Sequence, residues 1–193
     1  MYIAIEGIDT AGKSTQIARL REACQDAVIT KEPGATRIGE RIREIVLNGG
    51  VQSAKAEFLL FLADRAEHVQ EVIKPNLGKL IISDRSVVSG VAYALVQKSI
   101  SKEEILALNA FATDGIYPQK LFLLQLSEEE LAFRLSQKKL DGIEARGTAY
   151  LLSIQDALIE AARSLEIELI IIDASKPIEA ITKEIINTIK ETK

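Results

Sequence analysis

The chain has 193 residues, of which 47% are apolar and 27% are charged, and its formal net charge is −4. This composition is typical of one globular domain, and no stretch approaches the ~20 consecutive apolar residues of a membrane span. A single cysteine excludes an internal disulfide and a cysteine-cluster metal site, so we expect a reduced, cytoplasmic setting. No basic residues precede the N-terminal apolar run, so we expect no signal peptide. The net acidity argues against a nucleic-acid partner.

Short apolar runs alternate with segments of helical periodicity from one end of the chain to the other. The runs predict five strands, at residues 1–6, 27–29, 79–83, 121–126 and 167–172. The periodic segments predict helices at residues 13–26, 36–47, 53–73, 86–97, from 101, 127–137, 150–166 and from 177. Ser-x-x-Glu patterns open two of these helices and predict capping boxes. The alternation predicts an α/β fold with a parallel sheet in a single domain.

The first predicted strand runs into a phosphate-loop motif of the form Gly-x-x-x-x-Gly-Lys-Ser. Its members are Gly7, Ile8, Asp9, Thr10, Ala11, Gly12, Lys13 and Ser14. The glycines allow the backbone to turn around an oxyanion, and the following helix contributes the positive end of its dipole. In such a loop Lys13 neutralises the β and γ phosphates, and the Ser14 hydroxyl ligates Mg²⁺. The motif predicts binding of ATP or GTP.

Charged residues also follow the second and third predicted strands. The second strand leads to Lys31, Glu32 and Pro33, and the third leads to Asp84 and Arg85. The carboxyl ends of parallel strands meet at one edge of a sheet, so these residues are expected near the phosphate loop. Asp84 has the position of the acidic residue that holds Mg²⁺, commonly through water. Arg85 has the same sign of charge as the metal and is better suited to an anionic second substrate.

Two residues on the long helix predicted at 53–73 have the chemistry to bind a base. Phe61 and Arg65 are four residues apart and therefore share a helix face. A ring beside a guanidinium fork can stack on a base and hydrogen-bond its edge. On spacing alone, core packing is the more common role for Phe61, and a solvated position remains open for Arg65. His68, one turn further, is expected to be a surface or packing residue.

Four motifs together resemble those of the thymidylate kinases, in the order and spacing of that family. They lie at residues 6–14, 30–36, 61–65 and 84–93, and residues 173–177 look like the family's adenine loop. The resemblance covers essentially the whole chain. It implies a three-layer P-loop NTPase fold, with a five-stranded parallel sheet flanked by helices. It also implies one domain over residues 1–193 with a short lid at about 136–148, and a homodimer.

The resemblance further implies an activity and a set of site residues. The activity is transfer of the γ-phosphoryl group of ATP to dTMP with Mg²⁺, giving dTDP and ADP in dTTP biosynthesis. The implied acceptor-binding residues are Asp9, Glu32, Pro33, Arg43, Phe61, Arg65, Arg85, Ser89 and Tyr93. Asp9 is expected between the two substrates, and Arg85 on the acceptor phosphate with help from Arg43. Phe61 would stack on thymine, and Arg65 would bond its carbonyl edge.

The remaining implied residues surround the sugar and the base. Ser89 and Tyr93 would line the pocket, with Tyr93 disfavouring a ribose 2′-hydroxyl, while Glu32 and Pro33 would help to close it. The glutamine that often follows Ala-Tyr in the family is Ala94 here, so thymine N3 would be read by Ser89 or by water.

The segment expected to form the lid departs from the family pattern. Many members have an arginine in the phosphate loop, and others have two arginines in the lid, but this chain has neither set at its usual places. A cation is still expected at the transferring phosphoryl group because it is worth orders of magnitude in rate. Lys138 and Arg146 are the preferred candidates, and a merely solvated position is the alternative for each.

Two other functions remain open on sequence alone. One is a kinase of the same architecture that acts on a different nucleotide or nucleoside. The other is a nucleotide-dependent switch, although a guanine-specific Asn-Lys-x-Asp segment is absent from the sequence.

Overall fold

A five-stranded parallel sheet forms the centre of the molecule, and the computed structural model describes residues 1–137 and 146–191. The strands are β1 (Tyr2–Glu6), β2 (Val28–Lys31), β3 (Ile81–Asp84), β4 (Lys120–Gln125) and β5 (Glu168–Asp173). Their order in the sheet is β2-β3-β1-β4-β5, and every neighbouring pair is parallel. The five strands and the α/β fold class expected from the sequence are confirmed.

Eight α-helices lie within the described residues and flank the sheet. They are α1 (Lys13–Ala23), α2 (Arg37–Leu47), α3 (Ala54–His68), α4 (Val87–Gln97), α5 (Lys102–Thr113), α6 (Glu128–Ser136), α7 (Thr148–Ser164) and α8 (Ile178–Glu191). The sequence predicts one continuous helix over residues 53–73, but α3 ends at His68. A π-helical turn, Val69–Ile73, and a 3₁₀ turn, Lys74–Asn76, complete the segment. Pro75 lies in the 3₁₀ turn, where its missing N–H breaks no regular helical ladder.

Side-chain caps fix where several of the helices begin. Ser101 and Glu104 form the complete capping box that the sequence predicts, with both side chains bonded to backbone N–H groups. The second predicted box is only half formed. Ser127 accepts from the backbone of Glu130, but the Glu130 carboxylate accepts from Arg134 Nε at 2.6 Å instead of returning to the cap. Arg134 is thereby positioned beside the phosphate loop.

The core is built from branched aliphatic side chains of the central strands and the helices that cover them. All five residues of β1 and the first five of β4 are buried, which accounts for their near-continuous apolar sequence. Helix α1 packs on α8, and α4 packs on α3, α5 and α7. None of the helices in residues 1–137 and 146–191 has the length and apolarity needed to cross a bilayer.

The C-terminal half of α3 differs from an ordinary amphipathic helix because its buried face is polar. Asp64, Arg65 and His68 are 1%, 3% and 0% exposed, whereas the preceding turns bury Phe58 and Leu62. Buried ionisable groups require partners, and here the partners come from the segment after β2. The fold therefore joins α3 to the carboxyl end of the sheet through polar contacts.

Candidate functional site

The phosphate loop connects β1 to α1 and has the backbone conformation that its glycines allow. Gly7 has a φ of +151°, and a Cβ there would lie 2.9 Å from the backbone oxygen of Leu124. Gly12, at φ +96°, precedes the first residue of α1. Lys13 Nζ donates to the carbonyl oxygens of Gly7 and Ile8, at 2.9 and 3.0 Å. The backbone of the predicted loop is therefore folded around the Lys13 ammonium group.

One polar atom of the loop has no partner within the described chain. The Oγ1 atom of Thr10 is buried and makes no hydrogen bond to residues 1–137 or 146–191. A buried hydroxyl without a partner is costly, and a polar ligand of the loop would satisfy it.

The charge of Lys13 is held in an unfavourable environment. Burial and the neighbouring Arg85 lower the pKa of Lys13 to about 8, although Asp9, at 3.7 Å from Nζ, acts in the opposite direction. A lysine with this pKa is partly neutral at pH 8, so an anion bound in the loop would restore its proton.

Arg85 stands at the junction between the phosphate loop and a neighbouring cavity. It follows β3 directly with a φ of +68°, a left-handed conformation unusual for a residue with a side chain. Its Nη2 donates to Asp9 Oδ1 at 2.7 Å, and its Nη1 donates to Ser89 Oγ at 3.1 Å. The guanidinium thus ties the phosphate loop to the first turn of α4.

The buried carboxylate of Glu6 lies beside this junction and binds residues that follow Arg85. Glu6 is the last residue of β1, fully buried, and its Oε1 accepts from the N–H groups of Ser86 and Ser89 and from the Ser86 hydroxyl. Its Oε2 accepts from the Ser89 hydroxyl at 2.6 Å and lies 4.0 Å from Arg85 Nη1. Burial raises the pKa of Glu6 despite the Arg85 charge. Glu6 therefore fixes the start of α4 and the rotamer of Ser89.

A cavity of about 550 Å³ opens beside this junction and gathers the predicted acceptor residues. Every one of the nine lines it: Asp9, Glu32, Pro33, Arg43, Phe61, Arg65, Arg85, Ser89 and Tyr93. These residues come from five separate segments of the chain, and only the fold brings them together. The phosphate loop contributes Asp9, so the loop and the cavity share a wall.

Two of the predicted site residues that line the cavity, Phe61 and Tyr93, are aromatic. Phe61 is half-buried at the cavity wall and is not part of the buried core, which answers the question that its spacing left open. Tyr93 lies on α4, and its ring centroid is 6.0 Å from the Arg85 guanidinium carbon. Burial raises the pKa of Tyr93 to about 12, so its hydroxyl stays protonated at neutral pH. Arg43, on α2, donates through Nη1 to the Pro33 carbonyl at 3.0 Å.

Three predicted residues line the cavity but have their polar atoms engaged with the protein. Both carboxylate oxygens of Glu32 accept hydrogen bonds, Oε2 from Arg65 Nε and Oε1 from His68 Nδ1, each at 2.9 Å. The Ser89 proton goes to Glu6, so this hydroxyl has no proton for a ligand. Arg65 uses Nε and Nη1, and only its Nη2 makes no hydrogen bond within the described residues. Glu32 thus lines the cavity while both of its carboxylate oxygens bind side chains of α3.

The guanidinium of Arg65 lies directly against Gly90 of α4. A Cβ at Gly90 would be 2.5 Å from Nη2 and 2.8 Å from Nη1. The absence of a side chain at this position is what allows the guanidinium to reach the cavity between α3 and α4.

Of the two cations predicted for the lid, Arg146 lies within the described residues and Lys138 does not. Arg146 lines the cavity, where its Nη1 donates to the Tyr150 hydroxyl at 3.0 Å and its guanidinium carbon lies 5.0 Å from that ring's centroid. Lys138 and most of the expected lid, at residues 136–148, lie outside the described residues.

The predicted metal-binding residues lie at the phosphate loop. Ser14 is exposed in the first turn of α1, and Asp84 is the last residue of β3, paired in register with Ile5 of β1. Within the described ranges, no cluster of three or more His, Cys, Asp or Glu residues is arranged to hold a metal ion. A hydroxyl and one carboxylate suit Mg²⁺, which prefers oxygen ligands and keeps several waters or substrate phosphate oxygens.

The sequence did not indicate a specific role for four residues that support the site: Glu6, His68, Asn109 and Arg134. Asn109, on α5, accepts from Arg65 Nη1 at 2.8 Å. Arg134 donates to the carbonyl oxygens of Thr10 and Ala174, at 2.9 and 2.7 Å, and so joins the phosphate loop to the segment after β5. Only Glu6 gives a sequence signal, as a carboxylate at the end of a buried strand.

A phosphate loop that shares a wall with a cavity lined by arginines and aromatic residues is the arrangement expected of a kinase of the P-loop class. The thymidylate kinase family model matches residues 5–185. A thymidylate kinase from Sulfurimonas denitrificans is 73% identical over 189 residues, covering 98% of this chain and 99% of that protein. One from Aliarcobacter butzleri is 52% identical, with 96% of each chain covered. The chain belongs to the thymidylate kinase family.

A solved structure agrees with the sequence comparisons. The crystal structure of thymidylate kinase from Ehrlichia chaffeensis has a TM-score of 0.78 to this chain, with 26% identity and 98% of each chain covered. The expected P-loop kinase fold and family are therefore confirmed.

Proposed function

We propose that the chain transfers the γ-phosphoryl group of ATP to dTMP, giving dTDP and ADP, and so contributes to dTTP synthesis. The observation that carries the proposal is the joining of the two sites. All nine residues expected to bind the acceptor line one cavity, and that cavity meets the phosphate loop at Asp9 and Arg85. Donor and acceptor phosphates bound in these sites would approach one another at that junction, and positioning is the main requirement of phosphoryl transfer.

The donor side uses the phosphate loop, residues 7–14. Its backbone amides and Lys13 hold the β and γ phosphates, and the γ-phosphoryl group moves from the β–γ bridging oxygen to an oxygen of the acceptor phosphate. Ser14 and Asp84 are the residues that would hold Mg²⁺, which neutralises developing charge when bound. Arg134 keeps the loop aligned with the segment after β5 through its two carbonyl contacts.

The acceptor side uses arginines that line the cavity. Arg85 and Arg43 receive the acceptor phosphate, and Asp9 lies between the substrates beside the sugar 3′-hydroxyl. Phe61 stacks on thymine, and the Nη2 edge of Arg65 donates to a base carbonyl. Tyr93, protonated at neutral pH, lies where a 2′-hydroxyl would have to fit.

The substrate assignment is tested by coupled phosphoryl transfer with a panel of monophosphates. With ATP as donor, we expect kcat/KM for dTMP to exceed that for UMP or AMP by at least about 100-fold, because base and sugar contacts both discriminate. Comparable values for UMP or AMP would move the protein to another kinase specificity. Slow hydrolysis with guanine selectivity and no transfer would identify a switch instead.

We expect Arg146→Ala to lower kcat by at least about tenfold. Of the two cations predicted for the lid, Arg146 is the one within the described residues, and it lines the cavity. A cation there would stabilise the transferring phosphoryl group. The measurement is kcat at saturating ATP and dTMP. Arg163→Ala, an exposed arginine at the end of the same helix that Arg146 precedes, is the matched control and is expected to be unchanged. Lys138→Ala is measured in parallel, and a loss of no more than a few-fold in both variants contradicts the lid assignment.

The proposal includes a cytoplasmic homodimer. Exposed apolar side chains on two neighbouring helices, Ile45 of α2 at 48% and Leu59 of α3 at 56%, are consistent with an interface there. Sedimentation equilibrium tests it, and a purely monomeric protein at micromolar concentration would contradict it.

A further inference from the structure

His68 occupies a fully buried position in contact with the acceptor cavity's ion pair, and nothing in the reaction proposed above uses it. It is the only histidine of the chain and is 0% exposed. Its Nδ1 lies 2.9 Å from Glu32 Oε1, and its Nε2 lies 2.7 Å from the hydroxyl oxygen of Thr30. Both ring nitrogens therefore have a hydrogen-bond partner, so of the two positions expected from the sequence, surface or packing, His68 has the buried one.

The hydrogen bonds determine where the ring carries its proton. Burial alone would raise the pKa of Glu32, but the charge of Arg65 and the hydrogen bond from His68 outweigh it and lower this pKa. Glu32 is therefore an ionised carboxylate that only accepts, and Nδ1 must donate to it. Nε2 in turn lies 2.7 Å from the Thr30 hydroxyl oxygen, within hydrogen-bond distance. Every polar atom along this chain of contacts has a compatible partner.

Glu32 passes this constraint on to Arg65. Its second oxygen accepts from Arg65 Nε at 2.9 Å, and Asn109 Oδ1 accepts from Arg65 Nη1 at 2.8 Å. Two bonds to a planar guanidinium fix its orientation as well as its position. The Nη2 group remains without a hydrogen bond to the described residues, beside Gly90 at the cavity.

A purely structural ion pair would have no need to leave one edge of the guanidinium at the cavity. We propose that His68 is a positioning residue of the acceptor site: it holds the Glu32 carboxylate in the rotamer that presents Arg65 Nη2 to a pyrimidine carbonyl. The proposal deepens the proposed function and rests on it. Loss of the His68 contact should therefore weaken dTMP binding and change ATP binding little. Within the described residues, neither His68 nor Glu32 makes a hydrogen bond to the phosphate loop.

Two substitutions of His68 distinguish the effect of the hydrogen-bond donor at Nδ1 from the effect of the side-chain volume. Asparagine places an N–H close to the Nδ1 position, so His68→Asn can still donate to Glu32, whereas His68→Leu fills the space without a donor. We expect His68→Leu to raise KM for dTMP by about tenfold, the cost of one hydrogen bond to a charged group. KM for ATP and kcat should change less than about threefold, and His68→Asn should remain within about threefold of wild type throughout.

Val69→Ala is the matched control because Val69 is the next residue, is 3% exposed, and packs in a separate apolar cluster with Tyr2, Ile73 and Ile81. It is expected to lower the melting temperature without raising KM for dTMP. An equal rise of KM in Val69→Ala and His68→Leu, or a His68→Asn variant as impaired as His68→Leu, overturns the proposal.

A milder variant keeps the test decisive if His68→Leu does not fold. His68→Gln places its amide near the Nε2 position and loses the donor at Nδ1, so KM for dTMP should rise in the same direction. A KM within about twofold of wild type in a folded His68→Gln protein contradicts the positioning role. If wild-type protein shows no preference for dTMP, the proposed function fails and the positioning role fails with it; normal dTMP transfer with unshifted variants removes the positioning role alone.

Discussion

Replacing Lys13 by methionine is expected to lower kcat by roughly 1,000-fold or more while leaving the fold at least as stable as that of the wild type. The loss of rate follows from the loss of the ammonium that neutralises the β and γ phosphates. The stability follows from burial. Desolvation and Arg85 together lower the pKa of Lys13 from 10.5 to about 8, so its charged form is disfavoured in the folded protein. At 1.36 kcal/mol per pKa unit, this charge destabilises the fold by about 3 kcal/mol below pH 8.

The dependence on pH has a definite sign. Between about pH 8 and pH 10.5 the folded protein has released the Lys13 proton while the unfolded chain still binds it. The unfolded state then binds more protons, so the free energy of unfolding should rise with pH across this window. Below pH 8 both states are protonated, and the penalty is at its full value. Lys13→Met should be more stable than the wild type at pH 7, and the difference should decrease above pH 8.

Urea unfolding at pH 7, 8 and 9, together with kcat, provides the measurement. Lys102→Met is the matched control, because the Lys102 side chain is 40% exposed and its ion pair within the described residues is the one with Glu160. It should change neither the rate nor the unfolding free energy by much. A Lys13→Met protein that is markedly less stable than the wild type at pH 7 would show that the buried ammonium stabilises the loop.

Replacing Arg85 by lysine is expected to lower kcat/KM for dTMP by about 100-fold, with KM for ATP within about threefold of wild type. Lysine keeps the charge but loses the fork with which Arg85 reaches Asp9 and Ser89 at the same time. A point charge on a flexible stem would hold the acceptor phosphate with less directional control, so both binding and alignment should suffer.

The comparison uses steady-state kinetics with dTMP varied at saturating ATP, and then the reverse. Arg19→Lys is the control, because Arg19 is an arginine of α1 that pairs with Glu179 at 3.4 Å on the surface. It is expected to behave as the wild type. Equal losses toward ATP and dTMP in Arg85→Lys would place Arg85 with the donor phosphates instead of the acceptor.

The fold and the donor site could be predicted from the sequence because their signals are local. A strand, a glycine-rich turn and a helix follow one another within residues 2–23, and a turn with this motif is typical of nucleotide-phosphate binding. The acceptor residues were expected from motifs, and they do line one cavity. What those residues touch could not be predicted in the same way.

Long-range contacts explain the difference. Glu32 and Arg65 are 33 residues apart, and Arg65 and Asn109 are 44 apart, so no spacing rule connects them. His68 gave no pattern of its own, since its partners lie on β2 and just after it. Arg134 belongs to none of the sequence motifs, yet it bonds to carbonyl oxygens 124 and 40 residues away. The topology, not the local sequence, determines these roles.

The close approach of Arg65 and Gly90 has a consequence for how the pocket can change over time. A β-carbon at position 90 and a guanidinium from position 65 compete for the same volume. A larger residue at position 90 would therefore displace the end of the Arg65 side chain, which is held by Glu32 and Asn109. The side chains at positions 65 and 90 are therefore coupled, because a change at one alters the space available to the other. Attempts to alter the pocket here should vary both sites in one library, because the effect of a substitution at position 90 depends on the side chain at position 65.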